Sequence, residues 1–291
     1  MSKKDNGASK RRSQSLAFWV FRIISISVVL ILVTILGFIV VRGLPAMSWG
    51  FLTEMPKDGM TKGGIYPAII GTLYLVGGSM LFAFPIGVLS GIYINEYRRD
   101  GLMKRFIKLM TNNLAGIPSI VFGLFGMSLF VNTLGFGDSI LAGSLTLGLL
   151  TLPVVIRTTE EALKAVDDNF RQGSLALGAT KWQTTSKVVL PIAMPNIITG
   201  LILSIGRVSG ETAPILFTCA AYFLPKLPTS VFDQVMALPY HLYVISTSGT
   251  NVDASRVMAY GTAMVLIMIV LLVNILANAL RKFYANRVKM H

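Results

Sequence analysis

Four polar residues interrupt an otherwise apolar run late in the chain: Arg207, Ser209, Glu211 and Thr212. Arg207 and Glu211 stand four apart, the spacing that sets two side chains on one helix face and lets opposite charges pair. An ion isolated in hydrocarbon is costly, so charged residues in a membrane segment face a bundle interior or an aqueous path. The chemistry on offer is the weak recognition of an ion. An arginine suits an anion, Ser209 and Thr212 are possible donors, and Glu211 cancels much of the positive charge. A structural ion pair near the outer interface is the competing reading. Arg207 lies 16 residues past Pro191, about 24 Å along an ideal helix. A span starting at Pro191 therefore puts the pair in the outer half of a bilayer. Pro214, just beyond, is either a movable weak point or a fixed kink.

The second stretch with chemical character is Thr158 to Pro191, polar and helix-prone between two apolar spans. Thr158 and Glu161, Asn169 and Gln172, and Thr180 and Gln183 each have capping-box spacing, which predicts three helix starts. Leu163, Val166 and Phe170 make an apolar stripe, with Lys164, Asp167 and Arg171 largely off it. The reading is two or three short helices across the cytoplasmic mouth of a membrane bundle, presented to a partner. A loop folded onto its own bundle is the alternative.

These stretches must be held by membrane helices. The chain has 291 residues, 53% hydrophobic and 13% charged, where a soluble domain carries about 25% charge. Six runs approach the roughly 20 apolar residues that a crossing needs. They are about Phe18 to Val41, Tyr66 to Ile94, Asn113 to Thr133, Ser139 to Ile156, Pro191 to Ala220, and Val257 to Ala279. The first follows a basic tail but lacks a convincing small-residue cleavage site, so it reads as a retained span. Glycine and proline punctuate the second and third, allowing close helix approach and bends.

The excess of 26 Lys/Arg over 13 Asp/Glu follows the membrane edges, which argues against nucleic acid. The segments 1–17, 95–111 and 157–187 and the C-terminal tail hold 19 of the 26, whereas 42–66 and 222–256 hold 3 and 2. This asymmetry predicts a multi-pass cell-membrane protein with both termini and the 158–191 insertion cytoplasmic. The expected organisation is a basic tail (1–17), a peripheral helix with an outer segment (18–64), a core (65–280) and a second tail (281–291). Cys219 stands alone, and His241 and His291 form no ligand cluster. There is no P-loop, zinc arrangement or serine elbow. No enzyme activity, cofactor or metal is expected.

Gln172-Gly173-Ser174-x-x-x-Gly178, followed by Val188-x-Leu190-Pro191, resembles the EAA loop of binding-protein-dependent ABC importer permeases. Gln172 stands where that loop usually has glutamate, and Gly173 and Ser174 where it has alanines. Within that class, RVSGETAPILFT (207–218), IAMPNIITGLILSIG (192–206) and NLAGIPSIVFGLFG (113–126) are similar to the PstA-type permeases of phosphate importers. The resemblance spans residues 65 to 280. It implies an all-α, six-helix ABC type I importer permease fold with a cytoplasmic coupling helix. It also implies three protein partners: a second related permease, a cytoplasmic ATPase dimer and an extracytoplasmic phosphate-binding protein. Gln172, Ala176, Gly178, Ala179, Thr180 and Trp182 are then the expected coupling contacts. Arg207, Ser209, Glu211 and Thr212 are the expected pathway or gate residues. Rival readings are a same-fold permease for molybdate, sulfate or a small solute, a membrane enzyme, and a self-contained channel.

Overall fold

The computed structural model describes residues 5–97, 101–248 and 252–289. Lys3, Lys4, Arg98, Arg99, His291 and positions 249–251 of the polar outer run lie outside the described residues. The secondary structure is almost entirely helical, as a hydrocarbon environment demands of a single chain without a closed barrel.

Helix α1 (Asp5–Gly43) exposes its apolar side chains nearly all round from Phe18 to Val41. A 3-10 turn (Leu44–Ala46) leads to α2 (Trp49–Thr53), capped by the Ser48 hydroxyl accepting from Phe51 N–H. A small hairpin follows, β1 (Pro56–Lys57) with β2 (Lys62–Gly63), in the register Pro56 to Gly63. Helix α3 (Tyr66–Ile92) continues as a π turn (Tyr93–Tyr97). Then come α4 (Leu102–Ala115), α5 (Ser119–Gly126) with a π turn (Met127–Thr133), and α6 (Ile140–Lys164). Helices α7 (Asp168–Ala176) and α8 (Lys181–Thr184) form the polar insertion. Helix α8 runs without a stop through a π turn (Thr185–Val189) into α9 (Leu190–Ser209). Short α10 (Ala213–Leu216), α11 (Leu238–Ser248) and long α12 (Val252–Lys289) complete the described chain.

Among the described residues, five helical stretches are long and apolar enough to cross a membrane: Gln14–Ala46, Tyr66–Tyr97, Ile140–Lys164, Lys181–Ser209 and Ser255–Asn286. The remaining apolar run, expected as one span over 113–133 with glycine and proline in it, is divided and joined to the helix before it. It is a broken pair, Lys104–Ala115 and Ser119–Thr133, bent by 100°. Pro118 accounts for the break, because it has no N–H to donate and pushes Ile117 away from helical angles. A second difference lies after Pro191, where one span was expected to Ala220. Helix α9 stops at Ser209, and Gly210–Thr212 separates it from α10. The helix also begins ten residues before Pro191, at Lys181. The π turn at 185–189 absorbs the proline, whose ring would crowd the carbonyl four residues back.

Helices α3 and α6 pack side by side in the same direction through small residues. A side chain on Gly87 would collide with Val155, and one on Gly91 with Thr159. Hydrocarbon offers no hydrophobic drive between helices, so such close van der Waals approach is what holds them. A cluster of Ile92, Leu163, Val166, Val189, Ala193 and Ile197 locks together the ends of α3 and α6 and the start of α9. At the other end, Thr72 Oγ1 accepts from Leu238 N–H at 2.8 Å, tying α3 to the segment before α11. Gly71 lies there against the Met236 carbonyl and the Val235 side chain.

Gly71→Val is therefore expected to lose most of its folded, monodisperse fraction after extraction in mild detergent. Gly77→Ala, whose added Cβ meets nothing within 4 Å, is expected to match the unaltered chain in the same size-exclusion assay.

Candidate functional site

Two groups of residues stand at opposite ends of the continuous helix Lys181–Ser209. The first is the α7–α8 insertion. Its three expected helix starts resolve differently. Thr158 starts nothing: it lies inside α6, its hydroxyl donating to the Val154 carbonyl at 2.9 Å, its side chain against Gly200 of α9. The start near Asn169 is set two positions earlier by Asp167, whose Oδ1 accepts from Asn169 N–H at 2.9 Å. At Thr180 the capping box forms as spaced: the Thr180 hydroxyl accepts from Gln183 N–H, and Gln183 Oε1 accepts from Thr180 N–H.

Between α7 and α8 the chain turns on Gly178, whose φ is +85°. Ala179 N–H donates to the Ser174 carbonyl and Gly178 N–H to the Leu175 carbonyl, the paired bonds of a left-handed helix termination that glycine permits. Gln172, Ala176, Gly178, Thr180 and Trp182 are all exposed, and Ala179 is half-buried. The surface they share also exposes Phe170, Leu175 and Leu177, the last at 91%. The apolar stripe read from sequence is thus split. Leu163 and Val166 enter the core, while Phe170 faces outward with Trp182.

Spacing gave no sign of what fastens this insertion. Arg171 donates from Nη2 to Glu96 Oε1 at 2.8 Å and to the Leu163 carbonyl at 2.7 Å. Its Nη1 donates to the Val166 carbonyl at 2.8 Å and to Asp168 at 3.0 Å. The bond to Glu96 raises the already high pKa of Arg171, so the guanidinium stays charged. Glu96 is 75 residues away in sequence, beyond the reach of any local pattern. Nearby, Glu160 takes both Lys108 and Lys164 at 2.6 Å, beside a cavity of about 190 Å³.

The second group surrounds the break after α9. Arg207 Nε lies 3.5 Å from Glu211 Oε1, with the arginine side chain 36% exposed. The two do not share a helix: Gly210 ends α9, and Glu211 folds back across that end. Thr212 is half-buried in the break. Ser209 turns away from the pair, buried, with its hydroxyl donating to the Ile205 carbonyl at 2.8 Å. The helix begins before Pro191, so the level of the pair is read from the contact of α9 with α6. Gly200 is level with Thr158 of α6. Seven residues on, about 10 Å, Arg207 reaches the level of Thr151, near the middle of Ile140–Lys164. Gly123 of α5 approaches Ala213 and Pro214 just beyond the break.

Among the described residues, no three His, Cys, Asp or Glu side chains converge on a metal site. His241 is buried in α11, and that burial pushes its pKa down to about 4, keeping it neutral.

Comparison with known proteins gives this geometry a context. A family model described as "Binding-protein-dependent transport system inner membrane component" matches residues 83–290. The chain is 39% identical over 284 residues to phosphate transport system permease protein PstA 1 of Mycobacterium tuberculosis, covering 96% of this chain and 91% of that one. It is 34% identical over 282 residues to the probable ABC transporter permease protein YqgI of Bacillus subtilis, covering 93% and 95%. Among solved structures, a bacterial alginate ABC transporter in complex with an alginate-bound periplasmic protein aligns at a TM-score of 0.66 and 16% identity, over 94% of this chain and 95% of that one. The inward-facing MetNI methionine ABC transporter aligns at 0.59 and 18%, over 76% and 97%. At such identities the likeness is one of fold.

Thr180→Ala removes the cap of the whole helix Lys181–Ser209 and is expected to destabilise its first turn by about 0.5–2 kcal/mol. Hydrogen exchange should accelerate over residues 181–184 and stay unchanged in α6.

Proposed function

Because the chain belongs to the binding-protein-dependent transport system inner membrane component family, we propose that it is a permease subunit that carries inorganic phosphate inward. ATP hydrolysis belongs to separate subunits on the cytoplasmic side. The observation that carries the reading is the single helix Lys181–Ser209. It joins an exposed, partly apolar turn at Gly178 to the partly exposed Arg207–Glu211 pair at its other end.

The turn end suits an ATPase. Helix α7 has no buried residue, and Phe170, Leu177 and Trp182 offer contact area to a partner. Of the expected coupling residues, Gln172, Ala176, Gly178, Thr180 and Trp182 present the contact surface, and Ala179 supports the turn behind it. The basic segments put this end and both termini in the cytoplasm. The other end suits an anion in transit. Arg207 attracts it, Glu211 limits how tightly it is held, and Thr212 stands in the unwound backbone where donors are available. Ser209 contributes by closing the end of α9 rather than by touching cargo.

One permease of this shape covers one side of a path, so a second related permease completes it. An extracytoplasmic phosphate-binding protein delivers the ion to the outer segments, and ATP-driven closure of an ATPase dimer rocks the two permeases. The names of the curated relatives favour phosphate. The fold itself is cargo-neutral, since its solved neighbours are methionine and alginate transporters.

Affinity purification in mild detergent should recover an ATPase, a second multi-pass permease and a phosphate-binding protein with this chain. Vesicles holding the assembled complex should take up phosphate in an ATP-dependent way, and excess molybdate or sulfate should compete poorly. Recovery of the chain alone, or uptake without an ATPase, would sink the proposal. Gly178→Asp strains the turn, whose φ of +85° disfavours any side chain, and because a Cβ there meets no neighbouring atom within 4 Å the bundle is expected to fold while ATP hydrolysis is uncoupled from uptake. Arg207→Ala should lower phosphate flux while the ATPase still co-purifies; loss of assembly would instead identify a structural pair.

A further inference from the structure

Helix α7 poses a mechanical problem. It has no buried residue, so no apolar anchor prevents it from sliding over the bundle when pushed. Its C-terminal end is fastened by the Gly178 turn and by the Ser174 hydroxyl, 2.9 Å from that of Thr184. Its N-terminal half is fastened by Arg171.

We propose that Arg171 is the positioning residue through which displacement of α7 reaches α3 and α6, with Glu96 as its required partner. The inference rests on the reading of α7–α8 as the ATPase contact. The guanidinium is rigid and planar, with donors fixed in a fork, and here those donors are shared among separate elements. Glu96 lies on the π turn that prolongs α3, and Asn95 Nδ2 donates to it at 2.8 Å. The Leu163 carbonyl belongs to the last turn of α6 and also accepts from Val166 N–H at 3.3 Å. The Val166 carbonyl sits in the link between α6 and α7.

A second tether lies close by: Lys181 Nζ stands 5.2 Å from the centre of the Tyr97 ring. This joins the start of the long helix to the same turn of α3. The two contacts thus bring the ends of α3 and α6 and the start of α8 to one place. Both members of the ion pair are mostly buried, Arg171 at 17% exposure and Glu96 at 8%. Removing either leaves a charge with little water around it. A push on α7 therefore moves α3 and α6 with it, and without the clamp α7 moves with α8 but no longer carries α3 and α6.

The test uses the complete transporter in vesicles, with uptake and ATP hydrolysis measured together and Ala176→Cys cross-linked to the ATPase. Glu96→Gln keeps the shape and removes the charge; Arg171→Met removes every bond. Both should retain the cross-link and ATP hydrolysis while phosphate taken up per ATP falls roughly three- to thirtyfold, the range single residues produce in coupled networks. In Glu96→Cys/Arg171→Cys, a short bifunctional thiol reagent bridging the pair should restore much of that ratio; the native Cys219 is buried. Unchanged uptake per ATP in Glu96→Gln, or a bridged pair that stays uncoupled, overturns the role of Arg171. Failure of the Ala176 cross-link in the otherwise unaltered chain overturns the ATPase-contact reading instead.

Discussion

Hydrocarbon supplies no hydrogen-bond partners, and this constraint shapes every part of the chain. Each backbone group inside the bilayer must be satisfied by the protein itself. Hydroxyls in the spans obey the same rule: Thr72, Thr146, Thr151 and Ser204 each donate to a carbonyl of their own helix. Interruption is permitted only where other groups cover it. The N-terminal N–H groups of α6 are met by the Thr218, Asp233 and Val231 carbonyls of the outer segment. Pro191 costs a bond, and the π turn beside it keeps the helix unbroken.

Helices under that rule move as rigid bodies, because bending one inside lipid exposes backbone. Motion must then begin at their ends and pass through contacts between them. Here the contacts are close ones, with Gly87, Gly91 and Gly200 each receiving a side chain from α6. A seam of small residues transmits displacement with little slack, since no flexible side chain lies between the backbones. The broken pair α4–α5 and the break at Gly210–Thr212 are the departures from this stiffness, and Gly123 brings α5 against the chain just past the second break.

Much of this was legible in the sequence. Six apolar runs and the clustering of Lys and Arg gave the number of crossings, and Thr180 with Gln183 gave a true helix start. What failed did so for identifiable reasons. Thr158 carries the local signature of a cap, yet tertiary packing against Gly200 keeps it inside α6. Asn169 yields to Asp167 two positions earlier, whose carboxylate accepts from the Asn169 N–H itself. Ser209 shares a segment with Arg207 but not its face, and the polarity of a hydroxyl says nothing of its direction. The register of α9 is set by its contact with α6 at Gly200 and Thr158, which no count from Pro191 could supply. Arg171 was invisible because its partner is remote, and remote pairing leaves no spacing to read.

The two arginines of this region show how similar chemistry is put to different use. Arg171 spreads its donors over Glu96, Asp168 and two carbonyls, all at 3.3 Å or less. A guanidinium so fully engaged has nothing left to offer a passing ion; its work is to hold three pieces of chain in register. Arg207 presents the same five donors, and the one contact described for it is Glu211 at 3.5 Å, the outer limit of a hydrogen bond. Near the middle of a membrane bundle, a cation so lightly held is costly unless something polar visits it. The difference in engagement, more than the charge they share, separates a clamp from a way station. On the function proposed above, the two sit at opposite ends of the path from α7 through α9, one where movement would enter and the other where cargo would pass.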